Sequence, residues 1–82
     1  MHKKIVIEKN VKIVAVSDLG DCIKDVRSSQ GLTQSDISGL ANTGNRFIIE
    51  LENGKETVQL NKVLDVLNVL GLELTVARKS KF

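Results

Sequence analysis

The sequence predicts a mainly α-helical domain of four to five helices, with short β-strands near both termini. Apolar residues recur at helical spacing within residues 17–71, whereas the segments on either side are β-branched or alternate apolar with polar residues. The 82-residue chain has no internal repeat and no proline-rich linker, which is typical of one domain. We assign residues 1–16 to a β-rich arm or hairpin, 17–71 to a helical core, 72–77 to a strand and 78–82 to a basic tail.

Composition excludes several classes of function. One cysteine cannot form an intrachain disulfide, and a single histidine, His2, provides no cluster of metal ligands. No apolar run approaches the ~20 residues of a membrane span, and neither a nucleophile–base pair nor a phosphate-binding loop is present. We therefore expect a cytoplasmic protein that is not an enzyme and holds no metal or cofactor. The net charge of +2 does not by itself indicate a nucleic-acid partner.

The first third of the chain predicts a hairpin followed by a helix. Residues 1–16 are rich in lysine and β-branched residues, and residues 8–10 form a plausible turn between two strands. Ser17 is the predicted N-cap of the first helix. The apolar face of this helix has the spacing i, i+3, i+4, i+7 and consists of Leu19, Cys22, Ile23 and Val26. Cys22 is therefore predicted to be a small core residue rather than a nucleophile.

Residues 31–54 predict two short helices joined by a tight turn. Thr33 is a suitable N-cap for the first, with Asp36 completing a capping box. The turn falls at residues 42–44, where asparagine tolerates a left-handed conformation, and the second helix begins at Asn45. Ser38 is small enough for the two helices to cross closely. The predicted inward-facing residues are Ile37, Leu40 and Ala41 on the first helix, and Phe47, Ile48 and Leu51 on the second.

The last helix is predicted to begin near Thr57 and to end at Gly71. It carries more apolar residues than one neighbouring surface can cover. We expect Leu60, Val63, Leu64, Leu67 and Leu70 to face the core, and Val66 and Val69 to form a separate flank for a partner. Residues 72–77 then alternate apolar and polar residues, as a half-buried strand does.

Together these features resemble a known family. The string GLTQ, the small residue four positions after the glutamine and the ending I-x-x-L-E-N-G resemble the Xre/Cro repressor-type helix-turn-helix. The longer string NRFIIELENGKETVQLNKVLDVLNVLGLEL is similar to HipB-like antitoxins, which accompany HipA-type kinase toxins. The resemblance covers roughly residues 18–76. It implies a dimeric repressor that binds operator DNA, and a structural ion pair between Arg27 and Glu52.

The second short helix is then the recognition helix, which lies in the major groove of DNA. Asn45 and Arg46 are the predicted readers of bases, and Ile49 the apolar contact. Glu50 either accepts a hydrogen bond from cytosine or repels misplaced phosphates. Gly44 stands where the family usually has serine, which removes one side-chain cap or phosphate contact. The predicted phosphate contacts are Gln34, Thr43, Asn53 and Lys55.

Several alternatives remain at this stage. The chain is either the antitoxin or autoregulatory partner of a HipA-like kinase, or a stand-alone or phage-type repressor. A third possibility is a protein-interaction module that has lost DNA binding, which the low net charge and the two glutamates of the recognition helix favour. The N-terminal arm either covers the core or reaches DNA through Lys3, Lys4 and Lys9. The strands and the Val66/Val69 flank are the candidate dimer surface.

Overall fold

A computed structural model describes residues 10–79 of the chain. It contains the helices α1 (Val16–Ser29), α2 (Gln34–Leu40), α3 (Asn45–Glu52) and α4 (Leu60–Val69). Helix α3 packs against both α1 and α2, and α4 packs against α2. The predicted mainly helical fold is confirmed. Within residues 10–79 no β-strand forms, so the predicted terminal strands are not part of the fold that the structure describes.

A core of ten buried apolar side chains holds the four helices together. Cys22 and Leu19 pack at its edge and are partly buried, as their place on the face of α1 predicts. Burial of each large aliphatic side chain contributes roughly 1.5–3 kcal/mol to stability. The core consists of Ile23, Val26, Ile37, Ala41, Ile48, Leu51, Val63, Val66, Leu67 and Leu70.

Helix α1 begins earlier than predicted, and with a different cap. Ala15, not Ser17, is its N-cap. The carboxylate of Asp18 accepts hydrogen bonds from the backbone N–H groups of Val14 and Ala15, at 2.9 and 3.0 Å. These two bonds lower the pKa of Asp18 below its usual value. Because Asp18 binds these backbone donors, residues 11–15 lead into a helix and do not form the second strand of a hairpin. The rest of the predicted hairpin, residues 1–9, lies outside the described residues.

The α2–turn–α3 unit follows the prediction closely. Thr33 caps α2 through a capping box with Asp36, and Asn42 adopts the left-handed conformation with φ 57°. Ser38 is buried at the helix crossing. The prediction for Leu40 was wrong, because its side chain is 64% exposed. It is the last residue of a seven-residue helix whose buried residues are Ile37 and Ser38, so Leu40 lies to one side of the packed face.

The register of α4 differs from the prediction. The helix begins at Leu60 rather than near Thr57, and Leu60 and Leu64 are 58% and 44% exposed. Val66, predicted to lie on a free flank, is fully buried. The apolar residues of α4 contain two overlapping sets with the spacing i, i+3, i+4, i+7, starting at Leu60 and at Val63. The residues that pack in the core are those of the second set, Val63, Val66, Leu67 and Leu70.

The described chain after α4, residues 72–79, has no regular secondary structure. Gly71, with φ 78°, ends the helix as predicted, and Leu72 packs partly against the core. Residues 72–77 show the alternation of a strand but form none, because a strand needs a neighbouring strand to bind and residues 10–79 provide none. Leu74 and Val76 are 42% and 98% exposed. None of the helices in the described part is long and apolar enough to cross a membrane.

Helix α1 approaches the end of α3 so closely that only glycine fits at the crossing. A Cβ atom on Gly20 would overlap the carbonyl oxygen of Leu51 and lie 2.8 Å from that of Glu52. Gly20 is fully enclosed in this contact between backbones. The crossing fixes the C-terminal end of α3 against α1, while its N-terminal half packs beside α2.

Candidate nucleic-acid interface

The N-terminal half of α3 presents a polar face to solvent. The inward face is fixed by Ile48 and Leu51, which are fully buried. On the outward face Asn45 and Arg46 are exposed, the Arg46 side chain at 89%, and Ile49 is 38% exposed. The helix therefore offers an amide, a guanidinium group and an aliphatic side chain along one side. The predicted outward orientation of these three residues agrees with the structure; their contacts with DNA stay a prediction.

The turn before α3 holds this end of the helix in place. The backbone N–H of Thr43 donates to the carbonyl of Ser38 at 2.9 Å, and that of Phe47 donates to the carbonyl of Gly44 at 3.1 Å. Gly44 is the N-cap of α3 and supplies no side-chain oxygen. The first N–H groups of α3, which carry the positive end of the helix dipole, are therefore open to an external acceptor.

The C-terminal end of α3 is held by a buried ion pair. Arg27 Nε donates to Glu52 Oε2 at 2.6 Å, and Arg27 Nη2 donates to Oε1 at 3.0 Å. The two side chains are only 12% and 2% exposed. Arg27 Nη1 also donates to the carbonyl of Leu32 at 2.8 Å. The hydrogen bond to Glu52 raises the pKa of Arg27 above its usual value. The ion pair that the family resemblance implied is thus present, and it ties α1 to α3.

Gln34 takes part in this buried network. Its amide Nε2 donates to Glu52 Oε1 at 3.0 Å, so one carboxylate binds side chains from both α1 and α2. The sequence had assigned Gln34 to a phosphate contact. The structure places one of its two amide N–H groups on Glu52, while the second is not used in that bond.

A second ion-pair network lies on the outside of α3. Arg46 Nε lies 3.3 Å from Glu50 Oε2, and Lys55 Nζ lies 3.2 Å from Glu50 Oε1. The hydrogen bonds from Lys55 and then Arg46 lower the pKa of Glu50 below its usual value, so this carboxylate stays ionised at neutral pH. Each carboxylate oxygen therefore binds one cation beside the outward face of α3.

The remaining candidate residues flank the two ends of α3. Thr43 lies before its N-terminus, and its hydroxyl donates to the Gly44 carbonyl at 3.4 Å. Asn53, the C-cap of α3, is exposed, and Lys55 follows it after a left-handed Gly54 with φ 81°. The structure thus brings seven of the eight predicted DNA-binding residues to the exposed surface of α3 and its flanking turns, and it turns the amide of Gln34 toward Glu52.

Several features of this region were missed from the sequence. Gly20 showed no pattern that marks a helix crossing, and the contact of Lys62 Nζ with the Phe47 ring, 5.7 Å from its centroid, joins distant parts of the chain. The Arg46–Glu50 pair did have a signal, since opposite charges at i, i+4 meet on a helix. No group of three His, Cys, Asp or Glu side chains able to hold a metal ion occurs within residues 10–79.

Comparison with known proteins gives one similar sequence. No protein-family model matches the chain. The chain is 42% identical over 65 residues to a protein of Sinorhizobium fredii named uncharacterized HTH-type transcriptional regulator y4mF. The match covers 79% of this chain and 86% of that protein. At this identity and coverage, the two chains share one family.

Solved structures give the same result for the fold. The chain is similar to the protein in the HipB-O4 20mer complex, with a TM-score of 0.77, and in the HipA-HipB-O2-O3 complex, with a TM-score of 0.78. Each is 26% identical to this chain, and each match covers 84% of this chain and 97% of the other. With the helix-turn-helix geometry of α2 and α3, these similarities show that the chain belongs to the HipB-like, Xre-type family of helix-turn-helix transcriptional regulators.

Proposed function

We propose that this chain is a repressor that binds operator DNA as a homodimer and serves as the antitoxin or autoregulatory partner of a HipA-like kinase toxin. The observation that carries the DNA-binding half is the exposed N-terminal half of α3. Asn45 and Arg46 project from a helix whose other end is fixed to the core by the Arg27–Glu52 pair. An α-helix fits into the major groove of DNA. A helix that is fixed to its domain can hold exposed polar side chains against the base edges there.

The outward side chains of α3 match the hydrogen-bonding groups of base edges. Arg46 can donate two hydrogen bonds to O6 and N7 of guanine, and Asn45 can pair with N6 and N7 of adenine. Ile49 can pack on the methyl group of thymine. These three contacts would specify a short half-site.

The flanking residues suit contacts with phosphates. Thr43 offers a hydroxyl before α3, and Asn53 and Lys55 offer an amide and an ammonium group after it. Lys55 is 48% exposed, so its ammonium group can reach a phosphate while it remains near Glu50. Gln34 retains one amide N–H for the same purpose. Contacts of this kind position the protein and set its affinity without specifying sequence.

A homodimer would place two copies of α3 on one face of the duplex. One helix-turn-helix reads too few base pairs to select an operator, and dimers bind half-sites about 34–36 Å apart. The exposed apolar residues Leu60 and Leu64 lie one turn apart on α4, and Leu74 and Val76 are exposed in the segment that follows. These four residues are the surface that we expect a second copy to cover.

Selection from a pool of random 30-base-pair duplexes tests the DNA-binding half of the proposal. The full chain should enrich one two-fold symmetric sequence, and it should bind that duplex at least about a thousandfold more tightly than random duplex at physiological salt. Sedimentation of the complex should give two chains per duplex. Equal affinity for all duplexes would contradict the proposal and favour the protein-interaction module.

The toxin partnership rests on the similarity to the HipA-HipB-O2-O3 complex. Its test is co-expression with any HipA-like kinase encoded beside this chain, followed by purification through the kinase alone. The repressor should co-purify in stoichiometric amount and should suppress the growth arrest that the kinase causes. If the chain binds an operator but binds no HipA-like kinase, it is a stand-alone repressor.

A further inference from the structure

We infer that Glu50 positions Arg46 and Lys55 for DNA and does not itself read a base. This inference rests on the proposed function and adds a specificity-determining residue to it. The sequence left Glu50 either as an acceptor for cytosine or as a source of repulsion. The structure instead places both of its carboxylate oxygens on cations of the same protein, at 3.3 and 3.2 Å.

The way Glu50 binds Arg46 leaves the base-reading edge of the guanidinium open. The contact is made by Nε, which carries a single N–H. One N–H from each of the two Nη groups forms the end-on bidentate edge of the guanidinium, and neither is used in that bond. That edge is the one that can bind O6 and N7 of guanine together. Glu50 thus restricts the rotation of Arg46 without occupying the donors that recognition needs.

The backbone brings Lys55 to the other oxygen of the same carboxylate. Gly54 adopts φ 81°, which reverses the chain after α3, and the backbone N–H of Lys55 then donates to the carbonyl of Glu50 at 3.0 Å. The Lys55 ammonium group has three N–H donors and uses one on Glu50 Oε1. The others remain for a phosphate beside the groove.

A direct contact between Glu50 and cytosine would compete with the two ion pairs, because each carboxylate oxygen already accepts from one cation. The Arg46 and Lys55 side chains are 89% and 48% exposed, so in free protein the pairs add little to stability. At an interface with DNA, a charge pair that holds its members in register acts on specificity. With Glu50 ionised, the summed charge of Arg46, Lys55 and Glu50 is +1, whereas the two cations alone would carry +2. The lower positive charge weakens binding to DNA of random sequence.

The test is a base-preference profile of Glu50→Gln, measured on the duplex selected by wild type and on its single-base variants. Gln keeps the shape of the side chain but removes its charge. We expect the preference at the base pair read by Arg46 to fall roughly tenfold, while affinity for random duplex is unchanged or higher. Asp25→Asn is the matched control, because it removes one negative charge from an exposed position on α1.

A double variant separates positioning from direct reading. In the Arg46→Ala background, Glu50→Gln should have no further effect on that base pair, because the side chain it positions is gone. Loss of preference at a different, cytosine-containing base pair would overturn the inference, and so would a profile identical to wild type. If wild type itself selects no sequence, both the inference and the proposed function fail. If only the variant profile is unchanged, the inference alone fails.

Discussion

Glu50 and Glu52 lie two residues apart on α3, and their identical side chains are in opposite environments. The Glu52 side chain is 2% exposed and binds Arg27 and Gln34, whereas that of Glu50 is 30% exposed and binds Arg46 and Lys55. Two residues correspond to roughly 200° around a helix, so the pair points to opposite sides. The inner network fixes α3 to the core, and the outer network arranges the side chains that face solvent.

The comparison shows how one short helix serves both stability and recognition. An eight-residue helix is too short to be stable alone, so tertiary contacts must hold it. Its C-terminal end receives those contacts from α1, through Gly20 and the Arg27–Glu52 pair. Ile48 and Phe47 pack the N-terminal half from below, while Asn45 and Arg46 on its outward face are exposed. Substitutions on the inward and outward faces of α3 should therefore have different effects.

The largest effect on stability is expected for Glu52→Ala. The substitution leaves the guanidinium of Arg27 buried without its partner and also removes the acceptor of Gln34, so the free energy of unfolding should fall by about 3–5 kcal/mol. Urea unfolding followed by circular dichroism measures it. A urea midpoint equal to that of wild type would contradict the stabilising role of the buried pair.

Gly20→Ala should also destabilise the fold, by about 1–3 kcal/mol. The added methyl group would overlap the backbone at the end of α3, which can yield only if α1 moves. Gly39→Ala is the matched control, since a Cβ atom there meets nothing within 4 Å and α2 should gain about 0.5–1 kcal/mol. Equal unfolding free energies for the two variants would show that the α1–α3 crossing tolerates a wider spacing.

Arg46→Ala should leave the fold intact and weaken binding to the selected duplex by about 1–3 kcal/mol, with relaxed preference at one base pair. The reason is that Arg46 is exposed in the first turn of α3, and within residues 10–79 its side chain forms a hydrogen bond and ion pair with Glu50 alone. Fluorescence anisotropy on selected and random duplexes measures it, with the exposed Lys24→Ala on α1 as the control for lost charge. An equal loss on both duplexes would make Arg46 a phosphate contact.

The smallest effect on stability is expected for Glu50→Ala. Its two ion pairs are solvent-exposed and weak, so the midpoint of urea unfolding should stay close to that of wild type. The same titration series as for Glu52→Ala provides the comparison. A midpoint as low as that of Glu52→Ala would show that the outer network also supports the fold.

Local chemistry explains which parts of the fold could be predicted from sequence. The start of α2 and the turn before α3 were predictable because Thr33, Asp36 and Asn42 determine them within a few residues. The buried pair was predictable because the family resemblance marked both charges. The outward residues of α3 followed from helical periodicity once its limits were known.

The remaining features depend on tertiary packing between elements that are distant in sequence. Both apolar sets on α4 fit a helix, and only the tertiary structure determines that Val66 is buried and Leu64 is not. Alternation in residues 72–77 is a local pattern, but a strand needs a partner that residues 10–79 do not supply. In the site, the meeting of Lys55 with Glu50 depends on the chain reversal at Gly54, which sequence spacing does not reveal.

An NMR titration of the ¹⁵N-labelled protein with the selected duplex, and with a scrambled duplex of equal length, shows directly whether α3 binds DNA. We expect the selected duplex to shift the amide signals of the turn at Thr43, of Asn45, Arg46 and Ile49, and of the Asn53–Lys55 segment. The signals of Ile23 and Val26 in α1 should remain in place, and the scrambled duplex should cause smaller changes at the same residues. Changes confined to α4 or to the segment after it, with α3 unaffected, would show that α3 is not the DNA-binding element.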